Sequence, residues 1–351
     1  MIRDQLIDWV HSGEVARKLD LKGAELAQAS FNGGIFEEVC LAGANLEGAR
    51  FEEAVLLKCD LRGARLAGAS LRLAVLNECN LEGADLRDAN LGAVKIATTN
   101  LAGADLSGAD LVIASMQAPD LRGAKLCGCN LDRAAFLEAK TEGVSFRGAK
   151  MQMMTMLKVD MRTADFTDAE LDLVVMLDSN FSGRDLAGVR FGRCQFKGSD
   201  FTGTNLRGAE LTQCNFHLAQ LSEADFSDAQ AERALFIATK AHRAKFLGTQ
   251  LHQAIFQQAE LDGADLSNAN AYQANFTGAH CVGTLFTNAE LTYADFSGAD
   301  LSAADLTGAT IHRARLHRVL SEHTRWPASK STAYGDDEEL ARSQDWRQTH
   351  S

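Results

Sequence analysis

Ala84-Asp85-Leu86-Arg87-Asp88 is a five-residue unit that repeats along most of this chain, and it returns nearly unchanged as Ala299-Asp300-Leu301-Ser302-Ala303. Its central apolar residue recurs at every fifth position from residue 21 to residue 316, and 55 of those 60 positions are Leu, Phe, Ile or Met. All 18 Phe residues occupy this central position. A second, small residue, mostly Ala, lies two positions earlier. A fixed repeat of this kind predicts a solenoid, in which most residues serve to stack one repeat on the next.

The repeat resembles that of the pentapeptide-repeat family, and the resemblance covers residues 19–318. It implies an all-β fold, a right-handed quadrilateral β-helix solenoid in which four repeats form one coil of 20 residues. Residues 19–318 would then form about 15 coils. Of the 29 Gly residues, 24 lie two positions after the central apolar residue, where we expect the chain to turn each corner.

Three segments are expected along the chain. Residues 1–18 precede the repeat and should form a short helical cap over the open end of the sheet. Residues 19–318 form the β-helix, and residues 319–351 form a closing segment and a polar tail, which leave the repeat at Trp326-Pro327. The cap prediction depends on apolar residues at helical spacing, which are Ile2, Leu6, Trp9 and Val10.

Composition excludes several classes of protein. The net charge of -12 argues against direct nucleic-acid binding. No run of 18 apolar residues is present, so we expect no membrane span. The chain opens without a signal-peptide pattern, and we therefore expect a cytoplasmic protein.

The eight Cys residues are expected to be free packing thiols. Five of them take the small position of the repeat, where a thiol can substitute for Ala. Cys59 and Cys79 lie 20 residues apart, so stacked coils would bring their Cα atoms to about 4.8 Å, within disulfide range. Their side chains should nevertheless point in parallel, and a reducing compartment keeps thiols free.

The sequence offers little for catalysis. The nine His residues are scattered, and no pair has the spacing of a metal site with a carboxylate. The Gly residues are explained by corners and form no phosphate-binding loop. We therefore expect no catalytic residues, no metal, no cofactor and no small-molecule substrate, and we expect that the protein is not an enzyme.

Acidic residues recur at the position before the central residue on two faces of the expected solenoid. Family members that confer quinolone resistance are thought to imitate DNA and occupy gyrase. On the two faces this position holds 15 acids and 5 bases, a net of one charge per about 7 Å, whereas B-form DNA carries one per about 1.7 Å. The other interpretation is that Asp and Asn are the repeat consensus here because they bond nearby backbone. The acids are Asp60, Asp85, Asp105, Asp120, Asp160, Asp165, Asp185, Asp200, Asp225, Asp265, Asp300 and Asp305.

Outward-facing apolar residues concentrate on one face and its leading corner, and we call this set the apolar strip. Such a strip should exceed the few hundred square ångströms that soluble monomers usually expose. It includes Met153, which lies in a Met-rich stretch and would suit an adaptable binding surface. The strip consists of Ile35, Val55, Leu57, Leu73, Val75, Val112, Ile113, Leu137, Met153, Leu157, Leu173, Val175, Leu177, Leu235, Ile237 and Ile255.

Two occupants of the strip remain open. One is the protein itself, as a homodimer of rods side by side or as its own termini, and the other is a different protein. Either way we expect a non-enzymatic protein–protein interaction scaffold or adaptor. The chain is also similar to the stand-alone pentapeptide-repeat proteins found with bacterial type VI secretion effectors, which implies a role in effector loading. The alternative is a DNA-mimicking modulator of a type II topoisomerase that acts through the acidic faces.

Overall fold

A computed structural model describes residues 2–345 and gives a parallel β-solenoid preceded by a short N-terminal helix, so the predicted all-β class is confirmed. The chain groups into two compact units, Met1–Asn180 (unit 1) and Phe181–Ser351 (unit 2). The repeat runs through residue 180 without interruption in sequence and did not predict this division.

Unit 1 begins with helix α1 (Ile2–His11) and continues with nine strands of three residues each. The strands form one parallel sheet in chain order, and each pairs with the next at a spacing of 20 residues. We call the side of the solenoid that carries this sheet the first face. The strands are β1 (Val15–Arg17), β2 (Ile35–Glu37), β3 (Val55–Leu57), β4 (Val75–Asn77), β5 (Lys95–Ala97), β6 (Ser115–Gln117), β7 (Ala135–Leu137), β8 (Thr155–Leu157) and β9 (Val175–Leu177).

The other faces of unit 1 are held by isolated parallel bridges at the same 20-residue spacing. Asp20 pairs with Cys40 on the second face, Glu25 with Asn45 on the third, and Ser30 with Arg50 on the fourth. With the first face, each coil therefore has four bridging positions five residues apart, as a quadrilateral solenoid requires.

The count of strands is smaller than the count of coils that the repeat predicts. The nine strands account for about eight turns, all in unit 1, rather than the predicted 15 coils. In unit 2 the 20-residue spacing is carried by isolated bridges, from Asp185–Asn205 to Asp305–Arg325, and the bridge from Arg315 to Tyr334 is one residue shorter.

Strand β1 lies inside residues 1–18, the segment predicted to be only a cap. Ala16 fills the inward position of β1, is fully buried and pairs with Phe36 of β2. Because this central position holds a small residue instead of Leu or Phe, the first coil was not recognised as part of the repeat in the sequence. The sheet therefore begins earlier than the sequence indicated.

The core follows from the two inward positions of the repeat. Side chains alternate across a strand, so the central residue points inward while its two neighbours point outward. Leu56 and Leu76 illustrate this, with at most 1% of each side chain exposed between outward neighbours that are half-buried. The small position fills the space beside them, and Ala54 and Ala74 are both fully buried.

In unit 2 the core contains a column of six aromatic rings. Neighbouring centroids are 4.6 to 5.3 Å apart and neighbouring planes lie within 22° of parallel. Rings of a second column meet this stack edge-on, as Phe246 does with Phe236 at 5.6 Å and 83°. Both arrangements are favoured by aromatic quadrupoles. The stack consists of Phe196, Phe216, Phe236, Phe256, Phe276 and Phe296.

Beyond the last coil, unit 2 continues with a 3₁₀ helix (Ala328–Thr332) and helix α2 (Glu338–Asp345). Within residues 2–345 no helix is long and apolar enough to cross a membrane. The same residues contain no group of three or more His, Cys, Asp or Glu side chains that could hold a metal ion.

His317, one of the nine scattered His residues, is buried on the last coil, with 4% of its surface exposed. The backbone N–H of Asp337 donates to its Nδ1 at 3.1 Å, and its Nε2 lies 3.2 Å from Oε1 of Gln344. These contacts join helix α2 and the residue before it to the last coil, within the segment for which the sequence predicted a closing segment and a polar tail. Predicted tail residues 346–351 lie outside the described residues.

All eight Cys side chains are free thiols. Six are buried, and burial raises the pKa of Cys129 to about 12 and the pKa of Cys214 well above its usual value. Cys40 and Cys127 are half-buried. Because the thiolate is the reactive species, the buried thiols should be inert in the native state.

Replacing Phe236 with Ala should lower the free energy of unfolding by about 3–5 kcal/mol, because it leaves a cavity within the aromatic stack. The matched control is Ile237→Ala, which changes the adjacent outward residue and should cost less than about 1 kcal/mol. Urea denaturation followed by circular dichroism measures both. Equal losses in the two variants would contradict the assignment of the stack as the core of unit 2.

The thiol environments predict a two-stage reaction with a thiol-specific reagent such as Ellman's reagent. In the native protein only the two half-buried thiols, Cys40 and Cys127, should react within minutes, and all eight should react after denaturation in guanidinium. Rapid reaction of more than two native thiols would show that the core opens readily.

Candidate functional site

The structure places every residue of the apolar strip at the surface or at its margin, and none in the core. Five are more than a third exposed, including Ile113 at 53% and Met153 at 42%, and the other eleven are half-buried. Thirteen lie in unit 1, and Leu235, Ile237 and Ile255 lie in unit 2. That these residues form a binding surface stays a prediction.

On the first face of unit 1 the strip forms two outward columns, one at each end of the three-residue strands. Strand register aligns Ile35, Val55 and Val75 in the column at the strand starts. At the strand ends it aligns Leu137, Leu157 and Leu177. Cross-strand neighbours of this kind pack laterally and form a continuous apolar ridge.

The two columns are not apolar throughout. Strands β5 and β6 present Lys95, Ser115 and Gln117 at outward positions, so they separate an N-terminal apolar group on β2–β4 from a C-terminal group on β7–β9. The sequence analysis did not show this gap. It considered the apolar residues of the face and left out the polar residues that lie in the same columns.

The leading corner of the first face carries Leu73, Ile113, Met153 and Leu173 in a left-handed backbone conformation, with φ between 51° and 60°. Glycine accepts this conformation without cost, whereas other L-residues lose about 1–2 kcal/mol each, and a β-branched residue such as Ile113 is a clear outlier. These side chains are 38% to 53% exposed, so they contribute little to the core. Corner residues of many other coils share this conformation, so these four are distinguished by the exposed apolar side chains that they carry there.

The Met-rich stretch places one side chain, that of Met153, on the surface, as the sequence predicted. Met151, Met154, Met156 and Met161 are fully buried, and within the stretch Met153 is the exposed one. These four Met residues occupy inward positions of the repeat, where a flexible thioether fills the core. The adaptability proposed for the surface therefore depends on one Met side chain.

In unit 2 the strip is a small patch. Leu235 and Ile255 are bridged neighbours, and the bridges continue to Asn215 on one side and Asn275 on the other. The backbone N–H of Leu218, whose side chain is 47% exposed, bonds to the carbonyl of Ile237. Polar neighbours limit this patch to about two coils.

Sequence reasoning missed two other exposed groups. Val15 of β1 is 42% exposed and pairs with Ile35, so it extends the N-terminal apolar group by one coil. In unit 2 an aromatic row runs along one corner, with His252 and Tyr272 5.2 Å apart and Tyr272 and Tyr293 5.7 Å apart. A search for apolar residues at outward positions before residue 19, and for aromatic residues 20 or 21 apart, would have found both.

All twelve acidic residues singled out above have the same local role. One carboxylate oxygen of each accepts the backbone N–H two residues later, at 2.8 to 3.3 Å, and so stabilises the turn at the next corner. This is the side-chain-to-backbone bonding that makes Asp and Asn favourable in turns. Stabilisation of the turns is therefore sufficient to explain why Asp is frequent at the position before the central residue.

Several of these carboxylates are also neutralised within their own repeat. Asp60 pairs with Arg62 at 2.7 Å, and Asp85 pairs with Arg87 at the same distance. The hydrogen bond from the guanidinium of Arg62 holds the pKa of Asp60 below its usual value, and the equivalent bond does so for Asp85. Asp120 and Asp160 have matching Arg partners at 2.6 Å. An Arg beside the carboxylate weakens the negative potential that imitation of DNA requires.

A comparison with protein families places pentapeptide repeats on most of this chain. The matched segments together span residues 20–92, 97–152 and 176–319. A comparison with curated proteins found no sequence match.

Several solved structures of pentapeptide repeat proteins are similar to this chain. QnrB1, a plasmid-mediated fluoroquinolone resistance protein, is 20% identical over 63% of this chain and 95% of its own, with a TM-score of 0.38. HetL, involved in heterocyst differentiation regulation in the cyanobacterium Nostoc sp. strain PCC 7120, is 24% identical over 88% of this chain and 96% of its own, with a TM-score of 0.24. A protein of the Arabidopsis thaliana thylakoid lumen is 34% identical over 28% of this chain and 67% of its own, with a TM-score of 0.19.

Variants of Asp120 separate two roles of the acidic residues, as acceptors for backbone N–H groups and as negative charges. Asp120→Asn keeps the acceptor for the backbone and should cost only a few tenths of a kcal/mol at pH 7. Asp120→Ala removes the acceptor as well and should cost about 1 kcal/mol. Equal losses in the two variants would mean that the charge, not the turn, is what matters.

The pH dependence of this difference follows from the lowered pKa of Asp120, which the hydrogen bond from Arg122 causes. A carboxyl whose folded pKa lies below its ordinary value of 3.8 stabilises the fold fully above that value. The stabilisation is lost as the pH falls through the folded pKa. The small advantage of wild type over Asp120→Asn should therefore be present at pH 7 and shrink as the pH falls below 3.8, as measured by urea denaturation at a series of pH values.

Proposed function

This chain belongs to the pentapeptide-repeat family, and we propose that it is a non-enzymatic scaffold that binds protein through the apolar strip on the first face of unit 1. The observation that carries the proposal is the leading corner, where Leu73, Ile113, Met153 and Leu173 hold exposed apolar side chains on left-handed backbone. Burial against a partner would offset both the strain and the exposure of apolar surface.

A protein partner suits this face better than a small molecule does. Pockets for small ligands are concave and enclose most of the ligand. The first face is instead a sheet whose outward columns run along nine strands, and its inward side chains are packed between coils. Extended apolar surfaces with a polar surround are typical of protein interfaces.

An enzymatic role has little support in the chemistry of the described residues. A cleft of about 650 Å³ lies in unit 2 between the last coil and the C-terminal segment, and its lining includes His317 and Tyr334. Both ring nitrogens of His317 are already engaged by the C-terminal segment. The imidazole therefore serves to hold that segment in place.

The alternative, a DNA-mimicking modulator of a type II topoisomerase, receives less support. Its acidic residues are explained by the turns that they stabilise, and at Asp60, Asp85, Asp120 and Asp160 by adjacent Arg partners. Mimicry would need these carboxylates unpaired and closely spaced. The finer adaptor role, in loading type VI secretion effectors, remains a hypothesis that rests on the resemblance in chain length and in irregular central coils.

The triple variant Leu157→Asp, Val175→Asp and Leu177→Asp tests the face. It places three charges in the C-terminal apolar group and should abolish association, with itself or with a partner, while the thermal midpoint shifts by only a few degrees. Solution mass by light scattering and thermal unfolding by circular dichroism give the two readouts.

A control variant adds the same charge elsewhere. Asn80→Asp, Asn100→Asp and Asn130→Asp keep the bond that each side chain makes to backbone and lie off the first face. This variant should associate as wild type does. Unchanged association of the apolar-strip variant would refute the proposed face, and its failure to fold would mean that the three residues belong to the core.

A further inference from the structure

The trailing corner of the first face carries charges whose signs differ at equal distances from Thr98. Each of these residues directly follows one of the strands β1 to β9, and all seven charged ones are exposed on left-handed backbone. From the N-terminal end the signs are positive, negative, positive, negative, the uncharged Thr98 and Ala118 follow, and the last three signs are negative, positive, negative. The charged residues are Lys18, Glu38, Lys58, Glu78, Glu138, Lys158 and Asp178.

Two copies can pack with their first faces against each other. They are then related by a twofold axis that lies in the plane between the two faces and runs parallel to the strands. Each column of outward residues lies against the same column of the other copy, in the opposite order. With the axis at Thr98, in the middle of the nine coils, Lys18 lies opposite Asp178, Glu38 opposite Lys158, and Lys58 opposite Glu138. All three meetings join opposite charges.

We propose that the first face of unit 1 binds a second copy of this chain, antiparallel, in the register that centres on Thr98. The inference rests on the proposed function, since it names the occupant of the same face. A twofold interface of this kind is self-complementary, as the commonest soluble homodimers are.

The charges select this register against its neighbours. A shift of one coil in one direction places Lys18 opposite Lys158 and Glu38 opposite Glu138. A shift in the other direction places Lys58 opposite Lys158. Like charges brought together across an interface are unfavourable, so the column disfavours both one-coil slips. A slip of two coils in the second direction places Lys58 opposite Asp178 and Glu78 opposite Lys158, but it leaves β1 and β2 of each copy uncovered.

The leading corner agrees with the same register, although it was not used to find it. Glu53 lies opposite Arg133, and Leu73 lies opposite Ile113. Both Leu73 and Ile113 are exposed on strained backbone in the single copy. The arrangement buries them against each other.

The outward columns of the first face agree with this register in part. Val15 lies opposite Val175 and Leu57 lies opposite Leu137, so these apolar side chains bury one another. Leu157 and Leu177 instead lie opposite the charged Glu37 and Arg17. At the centre, Lys95 and Ala97 each lie against the same residue of the other copy.

Ion pairs within one copy also contribute to the pattern of charges at the trailing corner. Lys18 and Glu38 lie 3.5 Å apart within one copy, as do Lys158 and Glu138. Such pairing explains why the signs alternate, but not why their order reverses between the two ends. Two like-charge meetings remain in the register, Lys95 with its own copy at the axis and Glu52 with Asp132 beyond the leading corner. Long Lys stems can carry their charge to the edge of an interface.

The test exchanges two opposed charges in separate proteins, Glu38→Lys in one and Lys158→Glu in the other. Each variant alone places like charges opposite each other twice per dimer and should dissociate at least about tenfold more readily than wild type. An equimolar mixture restores both opposite-charge meetings and should recover dimers that contain one copy of each. Contacts within a copy are the same in the pure and the mixed samples, so they cannot cause a difference between them. Sedimentation equilibrium measures the dissociation of the dimers in each sample.

A cysteine placed near the axis gives a second readout. Ala97→Cys should form a disulfide-linked dimer under mild oxidation, because position 97 lies opposite its own copy. The matched control, Ala67→Cys, changes a residue that is half-buried as Ala97 is but follows a bridge on the third face, and it should stay monomeric on a non-reducing gel.

The outcomes separate this inference from the proposed function. A wild-type monomer, or a mixture that associates no better than its components, overturns the antiparallel dimer and leaves the apolar strip open to a foreign partner. A dimer that resists the three Asp substitutions in the strip overturns the proposed face itself. Rescue in the mixture together with cross-linking at position 97 supports both.

Discussion

Everything in this protein depends on stacking in register at intervals of 20 residues. Each coil offers its backbone to the coil before and after it, so a residue always has the same neighbours above and below, 20 positions away. Inward columns must then be filled with side chains that pack on copies of their own kind, as the Phe stack of unit 2 does. A nearest-neighbour solenoid gains its stability from these contacts between coils.

The same constraint leaves the outward positions free to carry function. Asp and Asn at the position before the central residue are bound to the turns, since their side chains accept backbone N–H groups. Residues at the strand starts, the strand ends and the corners of the first face have no such duty, and there the chain places apolar side chains and ordered charges. Because register is fixed, any pattern in one column becomes a pattern in space along the face. A surface of this kind can encode the direction and the register of a partner.

The sequence predicted the class of fold and the inward residues well, because the central position tolerates little except large apolar residues. It predicted the surface less well, for physical reasons. Ala16 concealed the first coil, since a small residue fills a position that Leu or Phe takes elsewhere. The burial of His317 depends on contacts with residues 20 and 27 positions further along the chain, which no local pattern records. The polar gap at Lys95 became visible only when the strand register aligned the columns.

The most direct test of the claim that the first face of unit 1 binds a second, antiparallel copy is a distance between spin labels on the two copies. Protein with Cys40 and Cys127 replaced by Ser, and labelled at Thr98→Cys or at Lys18→Cys, can be measured by double electron–electron resonance. The account predicts a short distance between the two labels at position 98 and one of roughly 40 Å between those at position 18, since eight coils separate position 18 from its twofold mate at about 4.8 Å each. Equal distances at the two positions, or no dipolar coupling at either, would contradict it.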